Sequence, residues 1–171
     1  MAKVLIIDDE QAILESLEMF LGEKGHQVAT AATAMMGLET FAQFEPNVVI
    51  LDIRLPDLSG FDVLDRLNKE KSPPKVIMIT AFHDMETTIR SIKHGAYDYI
   101  HKPLDADEVE KTMERALRVL SVEQEAGCSP IESELPGEGV IIGNHQKMLE
   151  VFKIIGVLCG NRATALIQGE T

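Results

Sequence analysis

Short aliphatic runs alternate with segments of helical period through the first 126 residues. KVLIID (3–8) predicts a strand, after which Ile13, Leu14, Leu17, Phe20 and Leu21 share one helical face up to Gly22–Gly25. QVATA (27–31) predicts a second strand, and Ala34, Leu38, Phe41 and Ala42 mark a helix from Thr33 to Phe44. NVVILD (47–52), KVIMIT (75–80) and YDYIH (97–101) follow as strands, with helices over Ser59 to Lys69 and Met85 to His94 between them and a last helix from about Asp105. Strands that are apolar throughout, rather than alternating, belong to a parallel sheet covered by helices on both faces. The pattern therefore predicts an α/β fold, a doubly wound (βα)5 parallel sheet.

The last helix carries two stripes. Val109, Met113, Ala116, Leu117 and Leu120 recur at helical spacing and should pack on the sheet. From Asp105 to Ala126 the helix would span 22 residues, about 33 Å at ~1.5 Å per residue, more than a strand of five or six residues covers. In the projecting turns Val119, Val122 and Ala126 form a second small apolar stripe, suited to a symmetric dimer contact or to folding back on Ile141 or Phe152. The character then changes. GCSPIESELPGEG (127–139) has the Pro, Gly, Ser and Glu of a linker. Residues 140–171 hold a strand-like VIIG, a helical face of Met148, Val151, Phe152, Ile155 and Leu158, and a strand-like ATALIQ (163–168), too little to bury a core alone.

Charge narrows the function classes. With 28 acids against 16 Lys and Arg the net charge is −12, which opposes broad contact with a phosphate backbone, so no direct nucleic-acid binding is expected. There is no signal-peptide h-region at the N-terminus and no apolar run near the ~18 residues of a membrane span, so a cytoplasmic protein without membrane contact is expected. Cys128 and Cys159 lack the spacing of a zinc site or a disulfide framework, and the five histidines lack ligand spacing.

Three consecutive acids, Asp8, Asp9 and Glu10, stand directly after the buried run of the first strand. In an open parallel sheet, ligands bind beyond the carboxyl ends of the strands. Asp8 and Asp9 after strand one, Asp52 ending strand three, Thr80 ending strand four and Lys102 just past strand five all fall at that edge. Two unit charges ~4 Å apart repel by roughly 4 kcal/mol at an effective dielectric of 20, so clustered carboxylates call for a countercharge. A hard divalent cation such as Mg²⁺ suits oxygen ligands and leaves room for water and a phosphate. Singly, each residue also has a structural use: the Asp8–Asp9 pair or Glu10 at a helix start, Asp52 as an N-cap, Thr80 for β propensity, Lys102 as a solvated charge. Their joint placement points to a site.

The DD pair, LDIRLPDLSG with Asp52, Pro56 and Gly60, then Thr80, then GAYDYIHKP with Lys102–Pro103 resemble the receiver domain of two-component response regulators. The resemblance spans residues 3 to about 120 and implies a flavodoxin-like strand order 2-1-3-4-5. It implies Asp52 as phosphoacceptor, with Mg²⁺ held by Asp9, Asp52 and the Arg54 carbonyl and more loosely by Asp8. Thr80 and Lys102 would engage phosphoryl oxygens, and Tyr99 would change rotamer with Thr80, though an aromatic there also suits plain packing. The Lys102–Pro103 peptide would be cis. A sensor histidine kinase is the implied phosphodonor.

Residues 140–171 resemble the opening of the AAA+ ATPase domain of sigma-54-dependent transcription activators, or else form an unrelated amphipathic extension. Asn144–His145 departs from the family's usual Ser. Gly169 would be the first glycine of a phosphate loop whose later Gly and Lys are not among these residues, so no ATP hydrolysis is expected of them. The domains expected are a receiver over 1–120, a helix end and linker over 121–139, and an AAA+ fragment over 140–171. The function expected is a phosphorylation-controlled switch, not an enzyme, acting as a homodimer on sigma-54 RNA polymerase through further sequence. A stand-alone receiver or phosphorelay intermediate with a docking tail is the alternative. An aspartyl-phosphate phosphohydrolase fits poorly, because Asp52-Ile53-Arg54 lacks the second Asp of D-x-D.

Overall fold

The computed structural model describes residues 1–81, 91 and 94–126, the last five by backbone alone. Its elements run β1 (Lys3–Ile7), α1 (Gln11–Glu23), β2 (Gln27–Ala31), α2 (Ala34–Phe44), β3 (Val48–Asp52), α3 (Gly60–Leu67), β4 (Lys75–Thr80), β5 (Asp98–His101) and α4 (Ala106–Ala126). All neighbouring strands are parallel, in the order β2-β1-β3-β4-β5, the flavodoxin-like order expected. The helix expected over 85–94 falls almost wholly outside the described residues, as do the linker and the C-terminal fragment.

Alternate residues of each central strand enter opposite cores, which is why the strands read as apolar throughout. Leu5, Ile7, Val49, Leu51, Val76 and Met78 pack with Phe61, Val63 and Leu64 of α3. Val4, Ile6, Ile50, Ile77 and Ile79 meet Leu14, Leu17 and Leu21 of α1 and Val109, Met113 and Ala116 of α4 on the other face. Leu117 and Leu120 are half-buried against this second core, so the expected sheet-facing stripe of the last helix is in place. Thr112, buried in the same face, hydrogen-bonds Arg115, which also pairs with Asp98 of β5 at 3.1 Å.

Several boundaries move inward by a residue because a side chain caps the helix instead of joining it. Thr33 precedes α2 and accepts from the Met36 amide at 3.2 Å, and Ser59 precedes α3 and accepts from Phe61 at 3.3 Å. Asp105 does the same for Asp107 and Glu108. The first strand stops at Ile7, not Asp8, the third begins at Val48 and the fifth at Asp98, and α3 closes at Leu67, short of Lys69.

α4 has 21 residues, about 32 Å at ~1.5 Å per residue, so it does outrun the sheet. Val119 is half-buried, while the side chains of Val122 and Ala126 lie outside those described. None of the described helices is long and apolar enough to cross a membrane.

Candidate functional site

Register brings the charged residues together. Ile7 pairs with Leu51 and Asp52 with Ile79, so the residues just beyond β1, the last of β3 and the last of β4 share one edge. Thr80 pairs with His101, and its carbonyl accepts from the Lys102 amide at 2.8 Å, which sets Lys102 beside the end of β4. The Lys102–Pro103 peptide is cis. A cavity of about 350 Å³ opens there, lined by Asp9, Glu10, Asp52, Arg54, Thr80 and Lys102.

Lys102 is its centre. The ammonium lies 2.5 Å from Asp52 Oδ2, 2.6 Å from Glu10 Oε1 and 3.1 Å from Asp8 Oδ2. Burial works against its charge, but the carboxylates outweigh burial and hold its pKa above the ordinary lysine range. Asp8 is wholly buried, and burial pushes its carboxyl up to about 6, against the lowering effects of the Glu10 amide at 2.8 Å and of Lys102. Asp52 is nearly buried and accepts from the Arg54 amide at 2.8 Å, which turns the chain sharply out of β3.

The turn after Asp52 needs a glycine. Gly60 packs against the Asp52–Ile53 backbone so closely that an added Cβ would run into the Asp52 carbonyl oxygen and come within 2.8 Å of the Ile53 Cα. Backbone cannot yield as a flexible side chain can. Gly60→Ala is expected to cost about 2–3 kcal/mol in urea unfolding, the upper part of the range for overpacking, and to displace Asp52; a loss below about 0.5 kcal/mol would contradict this packing.

Asp8, Asp52, Thr80 and Lys102 thus converge as the sequence predicts, and Arg54 sits beside them. Tyr99 is buried deeper, edge-on to His101 with ring centroids 5.2 Å apart. The three adjacent acids after β1 take different positions. Asp9 is exposed and lines the cavity, but the three carboxylates whose oxygens lie within 4.8 Å of one another are Asp8, Glu10 and Asp52. Glu10 occupies the N-cap position of α1 and its side chain caps no amide; it reaches Lys102 instead. The oxygen-only donor set and the buried carboxyl of Asp8 fit a hard divalent cation.

Asp57 is a further positioning residue that no sequence signal marks. Its carboxylate accepts from the Ala34 and Met35 amides, both at 2.9 Å, and so pins the loop after β3 to the start of α2. Those amides, Met35 foremost, hold its pKa below the usual carboxylate value. His94, given no chemistry by its spacing, packs on Phe61 and contacts Asp65 at 2.9 Å, a structural bridge to α3.

A doubly wound α/β domain with an acidic, lysine-bridged pocket at the carboxyl edge of its sheet has the makings of a signalling switch module. The response regulator receiver domain family matches residues 4–114, and the chain belongs to that family. Regulatory protein AtoC of Escherichia coli is 30% identical across 99% of this chain and 37% of its own length. Transcriptional regulatory protein KdpE of Mycobacterium tuberculosis is 35% identical across 99% of this chain and 78% of its own. The crystal structure of NtrX from Brucella abortus in complex with ATP superposes with a TM-score of 0.70 and 31% identity, over 92% of this chain and 34% of that one. The chain thus spans little more than a third of AtoC and of NtrX.

Proposed function

We propose that the chain is the phosphorylation switch of a transcription regulator, receiving a phosphoryl group on Asp52 from a sensor histidine kinase in the cytoplasm. The observation that carries this reading is the Lys102 ammonium lying 2.5 Å from the Asp52 carboxylate in a cavity that opens to solvent. An Asp52 oxygen attacks phosphorus, the P–N bond of a phosphohistidine breaks, and the electron pair leaves with the imidazole. Lys102 offsets charge on the transferring oxygens, and positioning supplies most of the rate. Asp9, Asp52 and the Arg54 carbonyl would hold Mg²⁺, with Asp8 in support. When bound, the cation neutralises charge on the phosphoryl oxygens. The new phosphoryl group carries about −1.5 to −2 charges, if it behaves as other phosphorylated side chains do, while the Asp52 carboxylate gives up its own. Thr80 and Lys102 move to meet it, and Tyr99 follows Thr80.

The output proposed is sigma-54-dependent transcription activation, with the receiver over 1–120, the joint over 121–139 and an AAA+ fragment over 140–171. The alignments with AtoC and NtrX, which run through nearly all of this chain, support it. The KdpE alignment, covering 78% of that regulator, favours a second reading in which the receiver serves a different output. Incubation with acetyl phosphate and Mg²⁺ tests the switch: one phosphoryl group, labile to hydroxylamine, is expected, and labelling undiminished by a chelator would reject the site.

The joint is proposed to dimerise through Val119, Val122 and Ala126. Wild type should sediment as a dimer in at least one phosphorylation state and Val119→Glu/Val122→Glu as a monomer in both. A wild type that is monomeric throughout, or a double variant that dimerises equally well, would refute the joint.

A further inference from the structure

The Lys102 ammonium donates to Asp52 Oδ2 and Glu10 Oε1, and it stands 3.1 Å from Asp8 Oδ2 as an ion pair without a hydrogen bond. Two of the three carboxylates around it, Asp8 and Asp52, are buried at strand ends. Glu10 differs from both, since its side chain is 59% exposed at the mouth of the cavity. At the N-cap position of α1 a side chain ordinarily accepts from an amide of the first turn. That of Glu10 does not, and it contacts a lysine 92 residues away.

We propose that Glu10 is a positioning residue that holds the Lys102 ammonium in the resting pocket and competes with the phosphoryl group for it. The proposal rests on the reading of Asp52 as phosphoacceptor and names a regulator of that same site. In transfer from acetyl phosphate, an Asp52 oxygen forms a bond to phosphorus, the P–O bond to the acetyl group breaks, and acetate leaves with the electron pair. No proton moves. The negative charge that Lys102 faces shifts outward from the carboxylate to the phosphoryl oxygens, and a proton of the ammonium must turn to meet it. Asp52 loses its charge in the reaction, and Asp8 sits beneath it, 3.1 Å from the ammonium. Of the three carboxylates around Lys102, Glu10 is the exposed one, and it keeps its full charge at the mouth of the cavity. Its hold on Lys102 therefore opposes phosphorylation. An exposed ion pair shifts an equilibrium by up to about fivefold, which sets the size of the effect.

Three measurements on the full 171-residue chain test this. Glu10→Gln removes the charge, and Glu10→Asp keeps the charge but withdraws the carboxylate by one methylene. Both variants are expected to raise the rate of phosphorylation by acetyl phosphate about two- to fivefold. Both should also raise the acylation of Lys102 by an amine-reactive ester, read by peptide mass spectrometry without phosphodonor, by a similar factor. Mg²⁺ affinity by calorimetry should fall by less than about tenfold in Glu10→Gln, the loss expected of a nearby charge that does not itself ligate. A Glu10→Asp variant indistinguishable from wild type would mean that charge alone matters and would overturn the proposal. So would unchanged Lys102 acylation in both variants, an unchanged rate, or a tenfold weaker affinity for Mg²⁺ in Glu10→Gln, the last making Glu10 a metal ligand. Labelling found elsewhere than Asp52 would instead remove the phosphoacceptor reading, and the proposal with it, and peptide mapping of the wild type separates that case from the others.

Discussion

Asp52→Asn is expected to lower phosphorylation by acetyl phosphate at least about a hundredfold, well within the losses that follow removal of a nucleophile. The amide has no anionic oxygen to attack phosphorus. It still offers a carbonyl oxygen to the Arg54 amide now bound at 2.8 Å, so the turn out of β3 is kept. Lys102 keeps Asp8 and Glu10 as partners, so the pocket is not left with an uncompensated ammonium. Loss of labelling should therefore occur in a folded protein, with circular dichroism and urea midpoint close to wild type. Equal labelling of the variant would place the phosphoacceptor elsewhere.

Asp8→Asn should stabilise the protein at neutral and alkaline pH while damaging the site. Burial raises the Asp8 pKa to about 6, from 3.8 for the free side chain. The folded state therefore binds this proton more tightly than the unfolded state. Below pH 3.8 both states are protonated and Asp8 carries no penalty; stability then falls as pH rises through the folded value of about 6, and the loss is complete above it. At 1.36 kcal/mol per unit, a shift of this size is worth on the order of 2–3 kcal/mol. Asparagine carries no charge to desolvate and can still accept from the Glu10 amide. In chelator at pH ~8, Asp8→Asn is thus expected to be about 2–3 kcal/mol more stable to urea than wild type, with the gap closing by pH ~4. Mg²⁺ should stabilise wild type more than the variant. A variant less stable at pH ~8, or a gap independent of pH, would contradict the assignment of buried strain to Asp8.

Much of this was legible in the residues. Continuous apolar strands such as KVLII and VVILD fit only a sheet buried on both faces, and the two cores on either side of β1 and β3 fulfil that reading. Asp8, Asp52, Thr80 and Lys102 sit at or just beyond strand ends, and a parallel sheet puts all such positions at one edge. The helix starts were less legible, because Thr33, Ser59 and Asp105 are as plausible inside a first turn as before it. Asp57 was invisible, since the amides it binds belong to α2, 22 and 23 residues earlier in the chain.

The sequence by itself determined the order of the elements, the parallel two-sided sheet and the edge at which acids and lysine meet, because hydrophobic period and chain direction are local properties. Only the tertiary structure decided which acids share Lys102. The residues between β1 and α1 follow neither strand alternation nor helical period. Three adjacent acids consequently take three different places: Asp8 under the sheet edge, Asp9 on the cavity wall, and Glu10 against the ammonium. That division depends on where the chain after β5 sets down Lys102, a residue 92 positions from Glu10. A contact over that separation is made by packing and is not encoded in any local pattern.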